Sequence, residues 1–215
     1  MALPLLHDYA LSSACYRVRI GLNLKRLAYA RVTVDLLKDE HRAAANRAVN
    51  PQGIVPTLEI DGHVIGQSLA ILDYLDARDP EPRFVPRDAA ARARVLQKML
   101  AVAADIHPVN NLRIRRYLAD PLGQDDAAVT EWQCHWMCEG LAALEAMAAA
   151  DGTAFLSGET PGLADICLVP QLFNARRIEL DLASYPELCR IDAALGTIDA
   201  FAAAHPDRLT SPAAC

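Results

Sequence analysis

Apolar positions recur along this chain in two rhythms, and the rhythm changes near residue 80. Before that point short apolar runs alternate with short helical stretches. Leu3-Pro4-Leu5-Leu6-His7-Asp8-Tyr9 has strand length, and Ser12 or Ser13 is placed to cap a helix reaching Leu27. Residues 29–36 alternate around the β-branched Val32, Thr33 and Val34 and predict a second strand, followed by a short helix over 40–49. Asp61-Gly62 then separates Thr57-Leu58-Glu59-Ile60 from His63-Val64-Ile65. That dipeptide is a strong hairpin signal, because a two-residue type I′ turn needs positive φ at its central positions. Gln67-Ser68 opens the amphipathic run Leu69-Ala70-Ile71-Leu72-Asp73-Tyr74-Leu75. Pro80, Pro82 and Pro86 break the pattern and read as a linker. Beyond them Ala and Leu at helical spacing predict helices over 87–119, 125–150, 162–177 and 186–204, the first kinked by Pro108. The expectation is an α/β part over 1–80 and an all-α part over 87–215, with a mobile tail from Asp207.

Around the hairpin the local chemistry points to a small-peptide site. Pro56 opens its first strand, where a missing N–H costs least, and the Val55-Pro56 bond is a candidate for a cis peptide. Val55 would then offer its N–H and C=O to an extended peptide laid alongside. Free N–H groups at the helix beginning after Gln67-Ser68 would take a carboxylate. Read alone, the same residues also fit a trans turn proline and a plain helix cap.

Composition narrows the classes. A length of 215 residues allows one large or two small domains, and a net charge of −6 argues against a nucleic-acid or anionic-membrane binder. The apolar N-terminus lacks a basic region and is interrupted by His7 and Asp8, unlike a secretory signal. No apolar run is long enough for a transmembrane helix. Cys15, Cys134, Cys138, Cys167, Cys189 and Cys215 are dispersed, which favours reduced thiols and a cytoplasmic location. Cys134, His135 and Cys138 lack knuckle spacing, so no metal is expected.

Val55-Pro56 and Gln67-Ser68 resemble the glutathione site of the cytosolic glutathione transferases. Ser12-Ser13-Ala14-Cys15-Tyr16-Arg17-Val18-Arg19-Ile20 resembles the Ser-Ser-Cys-x-Trp-Arg-Val-Arg-Ile signature of the zeta class, the maleylacetoacetate isomerases. Ala14 stands at the signature cysteine, with Cys15 one place later and Tyr16 replacing tryptophan. Asp105-Ile106-His107-Pro108-Val109-Asn110-Asn111-Leu112, Leu168-Val169-Pro170-Gln171 and Asn174-Ala175-Arg176-Arg177 resemble bacterial members of that class and their maleylpyruvate isomerase relatives. The family usually places Ser or Thr three residues before Asp165 as a helix cap; Gly162 stands there, and the reciprocal half of the capping box is expected to be lost.

The resemblance, which runs over about residues 6–206, implies a thioredoxin-like glutathione-binding domain, a helical substrate-side domain and a homodimer. It implies glutathione as cofactor, held by Ser12, Ser13, Ala14, Cys15, Tyr16, Arg17, His41, Val55, Gln67, Ser68, His107, Asn111, Leu112 and Arg113. Its thiol would lie at the start of the first helix, where free N–H groups, the helix dipole and a serine hydroxyl favour thiolate. The implied reaction is isomerisation of a maleyl diketo acid to its fumaryl isomer without consumption of glutathione. Ser12, Arg177 and Arg17 are the catalytic candidates, and Arg176 and Arg177 the substrate-binding ones. For the run Arg113, Arg115 and Arg116 a solvated helix face is favoured. The leading expectation is maleylacetoacetate isomerisation in aromatic amino-acid catabolism. Maleylpyruvate isomerisation, a general zeta-class transferase or dehalogenase, and a non-catalytic binding protein stand behind it.

Overall fold

The structure is a computed structural model that describes residues 3–210. By internal contacts the chain divides into two units, one running to Arg83 and taking in the residues from Gly196 onward, the other Phe84–Leu195.

In the first unit, strands β1 (Leu5–Asp8), β2 (Ala30–Thr33), β3 (Thr57–Ile60) and β4 (His63–Gly66) form one sheet in the order β2-β1-β3-β4. β1 and β2 run parallel, which requires a crossover, and helix α1 (Ser13–Leu24) supplies it. β1 and β3 pair antiparallel with His7 opposite Thr57, and β3 and β4 form the expected hairpin, with Asp61 and Gly62 at φ 52° and 80°. Helix α2 (Ala44–Val49) follows a 3-10 turn at Glu40–Arg42, so the single helix expected over 40–49 is interrupted, Ala43 taking an extended conformation at the junction. Helix α3 (Ser68–Arg78) completes the βαβαββα order.

Charge is buried deliberately in this unit. Asp8 is fully enclosed; its carboxylate takes Arg19 Nη1 at 2.6 Å and Arg31 Nε at 2.7 Å, tying α1 and β2 to β1. Arg19 also donates to the carbonyls of Ala10 and Ala204. Removing one partner from such a network strands a buried charge and costs about 3–5 kcal/mol. The bond to Ala204 and that from Asn23 Nδ2 to Ala200 O explain why the chain end groups with this unit, whereas the sequence assigned it to the helical part. There helix α9 (Pro186–Gly196) stops, Ile198 is extended, and helices α10 (Asp199–Ala204) and α11 (Pro206–Thr210) replace the single expected helix over 186–204. Of the tail expected to be mobile, residues 207–210 belong to α11; the remainder lies outside the described residues.

The second unit is helical. Helix α4 (Ala89–Leu100) runs into a π-helical stretch, Ala101–Ile106, in which His107 N–H donates five residues back to Val102 O. Pro108 has no N–H to continue the ladder, and α5 (His107–Val109) ends at Asn110, which has left helical geometry. Asn110 Nδ2 caps Ile106 O, and Asn111 starts helix α6 (Leu112–Ala119). The kinked helix expected over 87–119 is therefore broken. Gly140, on helix α7 (Asp126–Asp151), admits the π stretch: a Cβ there would lie 2.2 Å from Ile106 Cγ1.

Helix α8 (Leu163–Arg177) contributes more buried residues than any other helix of this unit, with Ile166, Leu168 and Leu172 fully buried. At its start the Asp165 half of the capping box is kept and the Gly162 half is lost, as expected, but a hydroxyl from the preceding loop compensates. Asp165 accepts from the N–H groups of Gly162 (2.9 Å), Leu156 (2.8 Å) and Ser157 (3.1 Å), while Ser157 Oγ accepts from Ala164 N–H at 3.1 Å. Ser157 thus supplies the hydroxyl that the cap position lacks. Glycine is required at 162 because a Cβ there would stand 2.6 Å from Phe84 O and 2.9 Å from Ser157 Oγ. Burial pushes the Asp165 carboxyl above the usual range, and the amide donors oppose that shift.

Candidate active site

The site in the first unit is assembled from three local features. The first is the loop before β3. Asn50 is buried; its Nδ2 donates to Ile54 O at 3.1 Å and Thr57 Oγ1 at 3.0 Å, and its Oδ1 accepts from Gln52 N–H. This side chain laces the loop shut and sets Val55 in place. The Val55-Pro56 bond is cis, and Val55 precedes the first paired residue of β3, so its backbone lies outside the sheet ladders. Sequence reasoning passed over Asn50, although an Asn whose side chain mimics a backbone turn is a recognisable device ahead of Pro51.

The second feature is the start of α1. Ser12 is its N-cap, with Oγ accepting from Cys15 N–H at 3.2 Å. That bond uses an oxygen lone pair and leaves the hydroxyl proton to be donated elsewhere, so capping and anion stabilisation are compatible at one atom. Ser13 is buried and Ala14 half-buried in the first turn. Cys15 points the other way. It is fully buried, packed with Val34 and Val55 against Tyr9 and Leu36, and its Sγ accepts from Tyr9 N–H at 3.5 Å. Burial first, then the nearby Asp8 charge, pushes its thiol far up. Cys15 is therefore a structural thiol and does not replace the signature cysteine; one residue is about 100° of helix, enough to turn it from the open end to the core. Tyr16 is likewise turned inward, edge-on to His205 at 6.0 Å with the Arg19 guanidinium 5.2 Å from its ring centre. Arg17 is buried as well. Cys15, Tyr16 and Arg17 thus face the interior, whereas Ser12 stays at the open start of α1.

The third feature is the start of α3. Gln67 holds the N-cap position at φ 67° and ψ 118° without a side-chain capping bond, and Ser68 behind it is buried. A non-glycine residue in this region stores about 1–3 kcal/mol of strain. The exposed Gln67 Nε2 donates to Gln52 Oε1 at 3.0 Å, which joins this helix start to the Val55 loop. The contact of Cys15 with Val55 joins the same loop to the start of α1. His41 is buried at the 3-10 turn, its Nε2 3.9 Å from Asp39 Oδ1.

The remaining predicted residues belong to the second unit. His107 is half-buried at the start of α5; Asn111 caps α6 with Oδ1 accepting from Arg113 N–H at 3.1 Å; Leu112 is half-buried and Arg113 exposed. The neighbouring arginines of α8 differ: Arg176 is held by Asp192 at 2.7 Å, whereas Arg177 has no ion pair among the described residues. Within the run expected to be a solvated face, Arg113 is exposed but Arg115 is half-buried, and its Nε is closed to solvent with no hydrogen-bond partner among the described residues. Burial, then the charge of Arg177, then that of Arg116, presses the Arg115 guanidinium below its ordinary value. Among the described residues no cluster of His, Cys, Asp or Glu forms a metal site, and no helix is long and apolar enough to cross a membrane.

The chain is similar to known proteins over nearly its whole length. The glutathione S-transferase N-terminal domain matches residues 6–83, and the C-terminal domain matches residues 139–206. A maleylacetoacetate isomerase of Rhizobium meliloti is 49% identical over 204 residues, 94% of this chain and 96% of the relative. The holo structure of a maleylpyruvate isomerase, a bacterial glutathione S-transferase in the zeta class, superposes with a TM-score of 0.93 at 41% identity, covering 98% of this chain and 100% of that one. A maleylacetoacetate isomerase from Methylobacterium extorquens AM1, solved with bound malonate and GSH, gives a TM-score of 0.89 at 35% identity, covering 98% and 99%.

Proposed function

The chain belongs to the glutathione S-transferase family, and from that premise we propose that it is a glutathione-dependent cis-trans isomerase converting maleylacetoacetate to fumarylacetoacetate in aromatic amino-acid catabolism. The observation that carries this reading is the meeting, within one unit, of the Ser12 cap, the unladdered Val55 backbone and the uncapped start of α3. The residues fit glutathione. Val55 offers a backbone edge to an extended tripeptide, and the first-turn amides after Gln67 and Ser68 suit its γ-glutamyl carboxylate. Bound glutathione supplies the thiolate nucleophile of the reaction and is not consumed.

Each residue then has a defined task. Ser12 donates its hydroxyl proton to the sulfur while its oxygen keeps the helix cap, and the positive end of α1 lowers the cost of the anion. Gln67 and Ser68 orient the γ-glutamyl end. Arg177, the α8 cation that has no carboxylate partner among the described residues, pairs with substrate oxygens as negative charge develops. Arg17 contributes to the field at the start of α1 from its buried position. His41, buried in the same unit, completes this part of the glutathione neighbourhood. The protein acts in the cytoplasm as a homodimer, the commonest closed assembly.

Maleylpyruvate is the second reading, favoured by the fit to the zeta-class maleylpyruvate isomerase structure. Side-by-side rates on the two diketo acids, with and without glutathione, separate the readings. Ser12→Ala and Arg177→Ala are expected to abolish most of the glutathione-dependent rate. Failure of the native chain on both substrates while it still binds glutathione would sink the isomerase reading.

A further inference from the structure

Helix α7 carries two cysteines that the proposed isomerisation does not use. Cys134 and Cys138 stand four residues apart within one uninterrupted helix, both free and both half-buried. Four residues of regular α-helix advance about 6 Å and complete a full turn plus about 40°. The two side chains therefore share one stripe, with Cβ atoms about 5–6 Å apart. A disulfide needs Cβ atoms at about 3.5–4.5 Å, so the intact helix holds these thiols too far apart to bond directly. A single thiophilic atom placed between the two sulfurs spans the longer gap. The ligands on offer restrict that atom further. His135, next to Cys134 in sequence, points about 100° around the helix, and its Nε2 lies 3.6 Å from Glu139 Oε1. Among the described residues no three His, Cys, Asp or Glu side chains gather as a metal site. Zinc takes three or four protein ligands and is not served by two thiols. A trivalent arsenic that already carries one carbon substituent needs two sulfurs and no more, and it shares the preference of soft centres for sulfur.

We propose that Cys134 and Cys138 form a dithiol site for a monosubstituted trivalent arsenical, a site that shares no residue with the one proposed for glutathione and does not depend on it. In water such an arsenical carries two hydroxyl groups on arsenic, and each thiol replaces one of them. Two As–S bonds form, two As–O bonds break, and the two thiol protons leave with the hydroxides as two water molecules. Arsenic stays trivalent, so the step needs no oxidant or reductant. Burial, then the neighbouring Cys138, pushes the Cys134 thiol up, in keeping with a thiol that brings its proton to the reaction. Once one As–S bond exists, the second thiol waits one helical turn away, and a second bond made within one molecule strengthens binding about a hundredfold or more over a single thiol. The other described cysteines offer no such pair. Cys15 and Cys167 are fully buried, and Cys189 is a single half-buried thiol with Sγ 3.7 Å from Leu182 O.

Phenylarsine oxide is the probe, added to the full reduced chain in the presence of excess glutathione, a monothiol competitor. Intact mass should show one phenylarsenic group per chain, and alkylation followed by peptide mapping should find Cys134 and Cys138 protected together. Cys134→Ser and Cys138→Ser should each weaken binding about a hundredfold and lose the adduct to glutathione, whereas Cys189→Ser should keep it. A register variant, Cys138→Ala combined with Glu139→Cys, keeps the number of thiols but moves the second one about 100° around the helix; it should lose the adduct as well, with its helical circular dichroism unchanged. An adduct that survives glutathione in either serine variant or in the register variant would overturn the site. So would a native chain from which glutathione strips the arsenical, or one in which only a single thiol is consumed.

Discussion

At the start of α8 the amides of Gly162, Leu163 and Ala164, together with those of Leu156 and Ser157 in the loop before it, are met from inside the protein. Asp165 collects the N–H groups of Leu156, Ser157 and Gly162, and Ser157 Oγ takes that of Ala164. At the start of α3 the opposite holds: Gln67 provides no side-chain cap, and its backbone is held at φ 67°. Both helices face the same physical demand, since the first N–H groups of any helix lack intrahelical partners. The one that meets the demand internally is architecture. The other leaves donors and a positive dipole end available to a ligand, and its strained cap residue is what holding that opening costs. The start of α1 stands between them, its Ser12 oxygen satisfying the helix and its proton still available.

The contrast can be broken most severely at Asp165. Asp165→Ala removes the acceptor of three buried or half-buried amides and is expected to destabilise the fold by about 3–5 kcal/mol, read from denaturant midpoints. A loss below about 1 kcal/mol would mean that water substitutes freely there and that the start of α8 is no keystone. Next in size is Ser12→Ala, which should separate the two uses of one oxygen. The cap is worth about 1 kcal/mol of stability, whereas loss of the donated proton should lower kcat about a hundredfold. A rate loss no larger than the stability loss implies would reduce Ser12 to a cap.

Cys15 tests the inward-facing side of the same helix through pH. Its thiol is raised in the fold, so above the ordinary value of 9.0 the unfolded chain gives up a proton that the folded chain keeps. Stability should therefore fall as pH rises past that value, by about 1.4 kcal/mol for each further unit from this one group. Cys15→Ala should flatten that slope, whatever it costs at neutral pH. An unchanged slope would place the thiol in contact with solvent. The smallest effect is expected at Gln67: Gln67→Gly relieves the positive φ and should stabilise the protein by about 1 kcal/mol, while raising KM for glutathione. Lower stability would show that the bond to Gln52 outweighs the backbone strain.

Much of this was legible in the chain because it depends on near neighbours. Asp61-Gly62 turns the hairpin, Val55-Pro56 is cis, and Ser12 caps α1, each set by the covalent preferences of a few consecutive residues. The chain's membership of the glutathione S-transferase family was legible for the same reason, from motifs of consecutive residues. Pro108 was recognised as a disturbance, but the size of its effect depended on Asn110 capping Ile106 O and on the room that Gly140 gives the π stretch. Gly162 looked like a loss until Ser157 and Phe84 O were seen on either side of it.

The sequence by itself thus determined the βαβαββα order followed by helices, the turn and cap residues, and the family to which the chain belongs. Tertiary structure decided which way each side chain faces and which charges already have partners. It sent Cys15 into the core beside Val55, gave Asp192 to Arg176 and, among the described residues, left Arg177 without an ion pair. The reason is range. Turn, cap and strand preferences act over a few residues along the chain, whereas burial and ion pairing depend on residues far apart in sequence that only the fold brings within a few ångströms.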